Sequence, residues 1–109
     1  MKLALLLMVP ALLLAACTRS GPTQAQVRED FDTICKAQKD FLQSKQLLKG
    51  VKESELQGER NRRMGEGRLS EAGLRAVELV VSSAGQSPRA AVEEEAKKAG
   101  LKDWTCPEL

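Results

Sequence analysis

The sequence predicts an all-α fold, a small bundle of three or four short helices. Three observations lead there. Apolar residues recur at spacings of 3, 4 and 7 over residues 27–48 and 74–84, the period of a helix buried on one side. Capping residues and glycines bracket these stretches, as starts and stops should. The chain shows no strand alternation, internal repeat, glycine-rich phosphate loop or heptad run.

The first element is not part of the fold. Met1 and Lys2 give a short positive start, Leu3 to Leu14 an apolar run broken only by Pro10, and small residues lead to Cys17. That is the layout of a secretory signal peptide. The run is shorter than the roughly 20 apolar residues of a membrane-spanning helix. A buried core segment would leave the order of charge, apolar run and small residues unexplained.

Leu14-Ala15-Ala16-Cys17 resembles the lipobox of bacterial lipoproteins, an aliphatic residue and two small residues before the cysteine, with every position matched. The resemblance implies a diacylglyceryl group on the Cys17 sulfur and signal cleavage between Ala16 and Cys17. It also implies acylation of the new amino group, with chains such as palmitate. The chain then divides into a signal peptide (1–16), the lipidated cysteine with a short tether (17–23) and a helical domain (24–109). An ordinary secretory cleavage is the alternative, and it would leave three cysteines in an exported chain, one of them unpaired. In the enterobacterial sorting pattern an Asp after the cysteine retains a lipoprotein in the inner membrane. Thr18 stands there instead, which points to the outer membrane, facing the periplasm.

The lipobox resemblance also decides the use of the other cysteines. With Cys17 acylated, Cys35 and Cys106 are an even pair in an oxidising compartment, the arithmetic of one structural disulfide. A metal site is the rival, but two thiols in a chain without histidine fall short of four zinc ligands. A redox pair would call for Cys-x-x-Cys spacing, which is absent. The expected fold is therefore a helical bundle clamped by one disulfide, with no metal and no cofactor.

Residues 17–109 are enough for one small domain with a modest core. Lys2 leaves with the signal, so the 17 basic and 15 acidic residues of the whole chain come still closer to balance. That argues against nucleic acid as a partner. Aromatic residues are few: Phe31, Phe41 and Trp104.

Thr18 to Pro22 form a polar tether that spans about 15–20 Å at full extension, so the domain stays near the membrane. Thr23 opens the first helix as N-cap, with Gln26 completing a capping box. Val27, Phe31, Ile34, Phe41 and Leu48 form its apolar stripe, joined by Gln38 and Lys45, and Gly50 is the stop. The stripe could receive a partner, but in a small domain such a face is core.

Residues 51–68 carry little apolar content beyond Val51, Leu56 and Met64, and Gly58 weakens a continuous helix. Ser54 with Gln57 offers a capping box. Arg60, Arg62, Arg63 and Arg68 make this the most basic stretch, a candidate surface patch for lipid headgroups or an acidic partner. The plainer reading is a solvated helix in which Glu55, Glu59 and Glu66 are local partners.

Ser70 caps the next helix, with Leu69 and Leu74 placed for a hydrophobic staple. Leu74, Val77, Val81 and Ala84 are the expected buried stripe, widened by Val80, with Gly85 as the end. Ser87-Pro88 starts the last helix as N-cap and first helical residue. Val92, Ala96 and Ala99 form a small-residue face, and Gly100-Leu101 reads as an αL cap with its hydrophobic contact. In the closing segment, Trp104 is expected to fold inward; an exposed stacking Trp is the alternative. The pattern Ala-Lys-Lys-Ala-Gly-Leu followed by Trp-Thr-Cys-Pro also resembles small uncharacterised helical lipoproteins of Gram-negative bacteria. Those pair an early helix cysteine with a near-terminal Cys-Pro, and the resemblance brings no activity with it.

Catalysis is not expected. There is no histidine, no thiol outside the anchor and the bridge, and no carboxylate pair in a recognisable motif; Glu93-Glu94-Glu95 reads as a solvated face. The function expected is a lipid-anchored cell-envelope protein acting as a structural or protein-interaction module. Its partners would be the membrane, through Cys17, and an envelope protein of unknown identity. The alternative is an accessory lipoprotein resembling the helical pilotins, which grip a helix of a membrane or secretion-system partner in an apolar groove.

Overall fold

The computed structural model describes residues 23–66 and 69–109. The expected signal peptide and its expected cleavage site at Ala16, Cys17, the residues to Pro22, and Arg68 lie outside the described residues. Among the described residues four helices follow one another: α1 (Gln24–Leu47), α2 (Glu53–Met64), α3 (Glu71–Val81) and α4 (Arg89–Lys98). A tail of turns, residues 101–109, completes the fold, and there are no strands among the described residues. None of these helices is long and apolar enough to cross a membrane.

Helix α1 begins as the sequence predicts, with the Thr23 hydroxyl accepting from the Gln26 amide at 3.2 Å. Its inward stripe is Val27, Asp30, Phe31, Ile34, Ala37 and Phe41. The helix stops at Leu47, before Gly50, and Leu48 is 49% exposed rather than on the buried stripe. Beyond Phe41 only α2 still runs beside α1, joined to it through Lys45 and Glu53, and residues 45–48 are exposed.

α2 runs back along α1, with Lys45 bound to Glu53 near the turn and Asp40 to Arg63 farther along. It starts at Glu53 on a Lys52 cap that makes no side-chain bond, so Ser54 and Gln57 form no capping box. Gly58 sits inside this helix without breaking it. The helix closes on Met64, which is fully buried.

α3 runs parallel to α1. It starts where Asp30 accepts from both the Ser70 amide (2.8 Å) and the Ser70 hydroxyl (2.7 Å). The same hydroxyl caps the helix by accepting from the Gly73 amide. The buried face is Ala72, Gly73, Ala76 and Val80, while Leu74 is 56% and Val81 50% exposed. Ala84 lies beyond the helix end, and an outward Leu74 leaves the proposed staple with Leu69 unsupported. The stripe is thus turned by roughly a quarter of a revolution from the expected one. Close approach explains this: a Cβ on Gly73 would lie 2.9 Å from the Asp30 carboxylate, so small residues must face α1.

α4 returns antiparallel. Its start is shifted by one residue from expectation: Arg89 is the first helical residue and Pro88 the cap, though the Ser87 hydroxyl still accepts from the Arg89 amide at 3.4 Å. Val92 and Ala96 are fully buried, with Ala99 packed beside them. The helix ends in a Schellman motif. Leu101 N–H donates to Ala96 carbonyl (2.9 Å) and Gly100 N–H to Lys97 carbonyl (3.0 Å), with Gly100 at φ 96°. Leu101 follows into the core, 2% exposed.

The two helical glycines give opposite expectations. Gly58 faces open space, so Gly58→Ala should stabilise by about 1 kcal/mol through helix propensity. Gly73→Ala gains the same propensity but drives a methyl into Asp30, so it should destabilise by roughly 1–2 kcal/mol net. Thermal melts of the two variants should move in opposite directions.

Candidate functional site

The most elaborate set of contacts is the seam between α1 and the tail. The tail runs alongside α1, and successive α1 turns each take hold of it. Arg28 binds Asp103 at 3.1 Å, and Asp32 accepts from the Trp104 indole N–H at 2.9 Å. Cys35 is bonded to Cys106 across 71 residues, and the Gln38 amide donates to the Glu108 carbonyl at 3.3 Å. Residues 28, 32, 35 and 38 recur at the helical period, so one face of α1 reads the tail in order. Trp104 turns inward, 7% exposed, with its ring edge-to-face against Phe31 at 5.2 Å.

The disulfide predicted from the sequence is therefore present, between a half-buried Cys35 and a fully buried Cys106. A residue the sequence analysis did not single out lies against it. Glu108 Oε2 is 3.6 Å from the Cys35 sulfur and 3.5 Å from that of Cys106. These are contacts, not hydrogen bonds, because bridged sulfurs carry no proton. Cys35, Cys106 and Glu108 have the spacing of three metal ligands, but sulfurs bonded to each other are not thiolates.

Glu93 is the second clamp on the tail, and the charge run 93–95 concealed it. Its Oε2 accepts from the Thr105 hydroxyl (2.6 Å), Arg89 (2.9 Å) and the Cys106 amide (3.2 Å). Those bonds, Thr105 first, hold its pKa at about 2 against an ordinary 4.5. The folded value lies below the unfolded one, so the stabilisation is complete above about pH 4.5 and fades as the pH falls toward 2. Glu93→Gln should flatten that acid limb, and protection of the Cys106 amide, measured against the unstructured exchange rate at the same pH, should fall in the wild type below pH 4.5 but change little in the variant. Its neighbours differ: Glu95 pairs with Arg75, and Glu94 is exposed.

The basic stretch does not act as one surface. Arg60 points inward, its guanidinium 4.9 Å from the Phe41 ring centre and hydrogen-bonded to Gln38 and Asn61. Burial pulls its pKa below the usual guanidinium value. Arg62 and Arg63 both bind Glu59, and Arg62 also binds Glu66. That double grip holds Glu59 at about 2 and raises Arg62. Arg68 lies outside the described residues. Arg60 carried no sequence signal, because an arginine in a polar helix gives no sign of the ring beneath it.

At the far end of the bundle from Thr23, a cavity of about 450 Å³ opens between α1, α2 and the α3–α4 loop. Leu42 and Val81 form its apolar rims, with the Lys45–Glu53 pair and Arg60 in its walls. Next to it the α1–α2 turn exposes Leu47, Leu48 and Val51. Apart from Leu74, every large apolar side chain exposed among the described residues lies at this end. No family model matches the chain, and no curated protein or solved structure matches it.

Proposed function

We propose that this chain is a lipid-anchored protein of the cell envelope, acting as a structural or protein-interaction module without catalysis. The observation that carries the reading is Leu14-Ala15-Ala16-Cys17 at the end of a signal-like apolar run. The fold supports it. Two of the three cysteines are bonded to each other, which leaves Cys17 free for a different chemistry. A structural disulfide also suits an exported protein. Two or three acyl chains hold a protein stably at a bilayer, where one chain holds it only marginally. Thr18 in place of Asp favours the outer membrane, facing the periplasm.

A second reading, a pilotin-like carrier of a partner's helix, draws on the cavity rimmed by Leu42 and Val81. Its charged walls make the more general module the better fit, because an apolar helix would leave Arg60 and the Lys45–Glu53 pair poorly solvated.

The test is mass spectrometry of the chain expressed in a Gram-negative host. The expected product starts at Cys17 and carries thioether-linked diacylglycerol, and Cys17→Ser abolishes both acylation and cleavage. A lipid-free product cut at another position would end the reading. Pull-down of the lipidated protein from envelopes would then identify the partner; co-purification of one secretion-system subunit would favour the pilotin reading.

A further inference from the structure

We propose that the turn between α1 and α2 is a second membrane contact, a tip that inserts into an anionic bilayer surface. Within five residues it presents Leu47, 79% exposed, with Leu48 and Val51 beside it. Leu47 belongs to the last turn of α1, where no other helix covers it. Apolar side chains left this exposed at a helix end, Leu47 at 79% and Leu48 at 49%, favour transfer to an apolar phase.

The charges around them fit a lipid surface. Lys45, Lys49 and Lys52 alternate with the apolar residues. Lys45 is held by Glu53, while Lys49 and Lys52 pair with no carboxylate among the described residues. Glu55 is the one exposed acid nearby without an ion pair among the described residues, so the tip keeps a small positive excess. Lysine side chains can extend toward headgroup phosphates while the leucines enter the acyl boundary. The basic stretch on α2 cannot offer this, since its arginines are taken by Glu59, Glu66 and the Phe41 ring.

The position completes the picture, and here the inference rests on the anchored reading. α1 is about 36 Å long, with the tether at one end and the tip at the other. Two contacts at its two ends would lay the bundle along the membrane instead of standing it upright. The tip by itself binds weakly, since it offers three apolar side chains where stable anchoring takes two acyl chains. The tether raises its local concentration at the bilayer.

The test separates the tip from the anchor. The chain from residue 17 with Cys17→Ser has no lipid and keeps every contact described above. It is sedimented at millimolar lipid with vesicles of phosphatidylcholine alone or mixed with phosphatidylglycerol. Pelleting with the anionic vesicles is expected, reduced roughly threefold or more in Leu47→Glu/Leu48→Glu and at about 0.5 M salt. Lys49→Glu/Lys52→Glu should lose the preference for phosphatidylglycerol. An unchanged melting temperature checks that each variant is folded. Equal pelleting by the leucine variant, or none by the parent chain, overturns the proposal. So does a dimer in ultracentrifugation that the leucine variant dissolves without any vesicle binding. Since the tested chain carries no lipid, either outcome leaves the fate of Cys17 to its own experiment.

Discussion

The Cys35→Ser/Cys106→Ser chain is expected to lose about 4 kcal/mol of stability, the chain-entropy value for a loop of 71 residues. For a domain of this size that corresponds to a fall in melting temperature of roughly 15–30 °C. The bridge matters because most of the seam's other bonds are weak. Arg28 and Asp103 are both well exposed, and such surface pairs contribute at most about 1 kcal/mol. The Gln38–Glu108 bond is neutral, and about 1 kcal/mol is typical. Without the covalent link the tail is held mainly by Trp104, Leu101 and the Glu93 clamp. Denaturant titration should also show a larger dependence on denaturant in the variant, because its unfolded chain is less compact. A melting shift below about 5 °C would mean that the non-covalent contacts alone hold the seam.

Trp104→Ala should cost about 3–5 kcal/mol, the range for emptying a large buried aromatic site. Trp104 is 7% exposed and packs its ring against Phe31, itself fully buried on α1. Removing it opens a space that the tail cannot collapse into, because Cys106 is fixed two residues on. Trp104→Phe keeps much of the packing and loses the bond to Asp32; since Asp32 is exposed and can turn to water, about 1–2 kcal/mol is expected. Trp104 is the chain's one tryptophan, so its emission reports directly on the tail. Combined with the cysteine substitutions, Trp104→Ala should fall short of additivity by 1 kcal/mol or more, because both changes free the same segment. Simple additivity would show that the tail has independent attachments.

The parts of the fold that were legible in the sequence are those decided locally. Thr23 and Ser70 cap helices because a side-chain oxygen within reach of its own helix needs no tertiary partner. The stop at Gly100 with Leu101 turning inward is equally local. The α1 stripe was readable from Val27 to Phe41 because its large residues there are the buried ones, whereas Leu48 lies past the helix end and is exposed. On α3 the same rule failed. Side-chain size placed Leu74 and Val81 inside, but the crossing on α1 is set by the carboxylate of Asp30 and admits only small residues. Nothing near Asp30 in the sequence names Ser70, forty positions on, as its partner.

By itself the sequence determined an all-helical chain behind a signal-like segment, the lipobox resemblance at Cys17, and the pairing of Cys35 with Cys106. The first two follow from periodicity, capping chemistry and a matched motif; the pairing follows once the lipobox resemblance assigns Cys17 to lipid and leaves an even pair. Only the tertiary structure decided how the charged residues are used. Glu93 became a clamp, Glu108 a neighbour of the disulfide, Arg60 a cover for Phe41, and the α1–α2 turn an exposed apolar tip. The physical reason is common to all four. A charged or apolar side chain acquires its role from what packs against it, and that packing joins residues far apart in the chain.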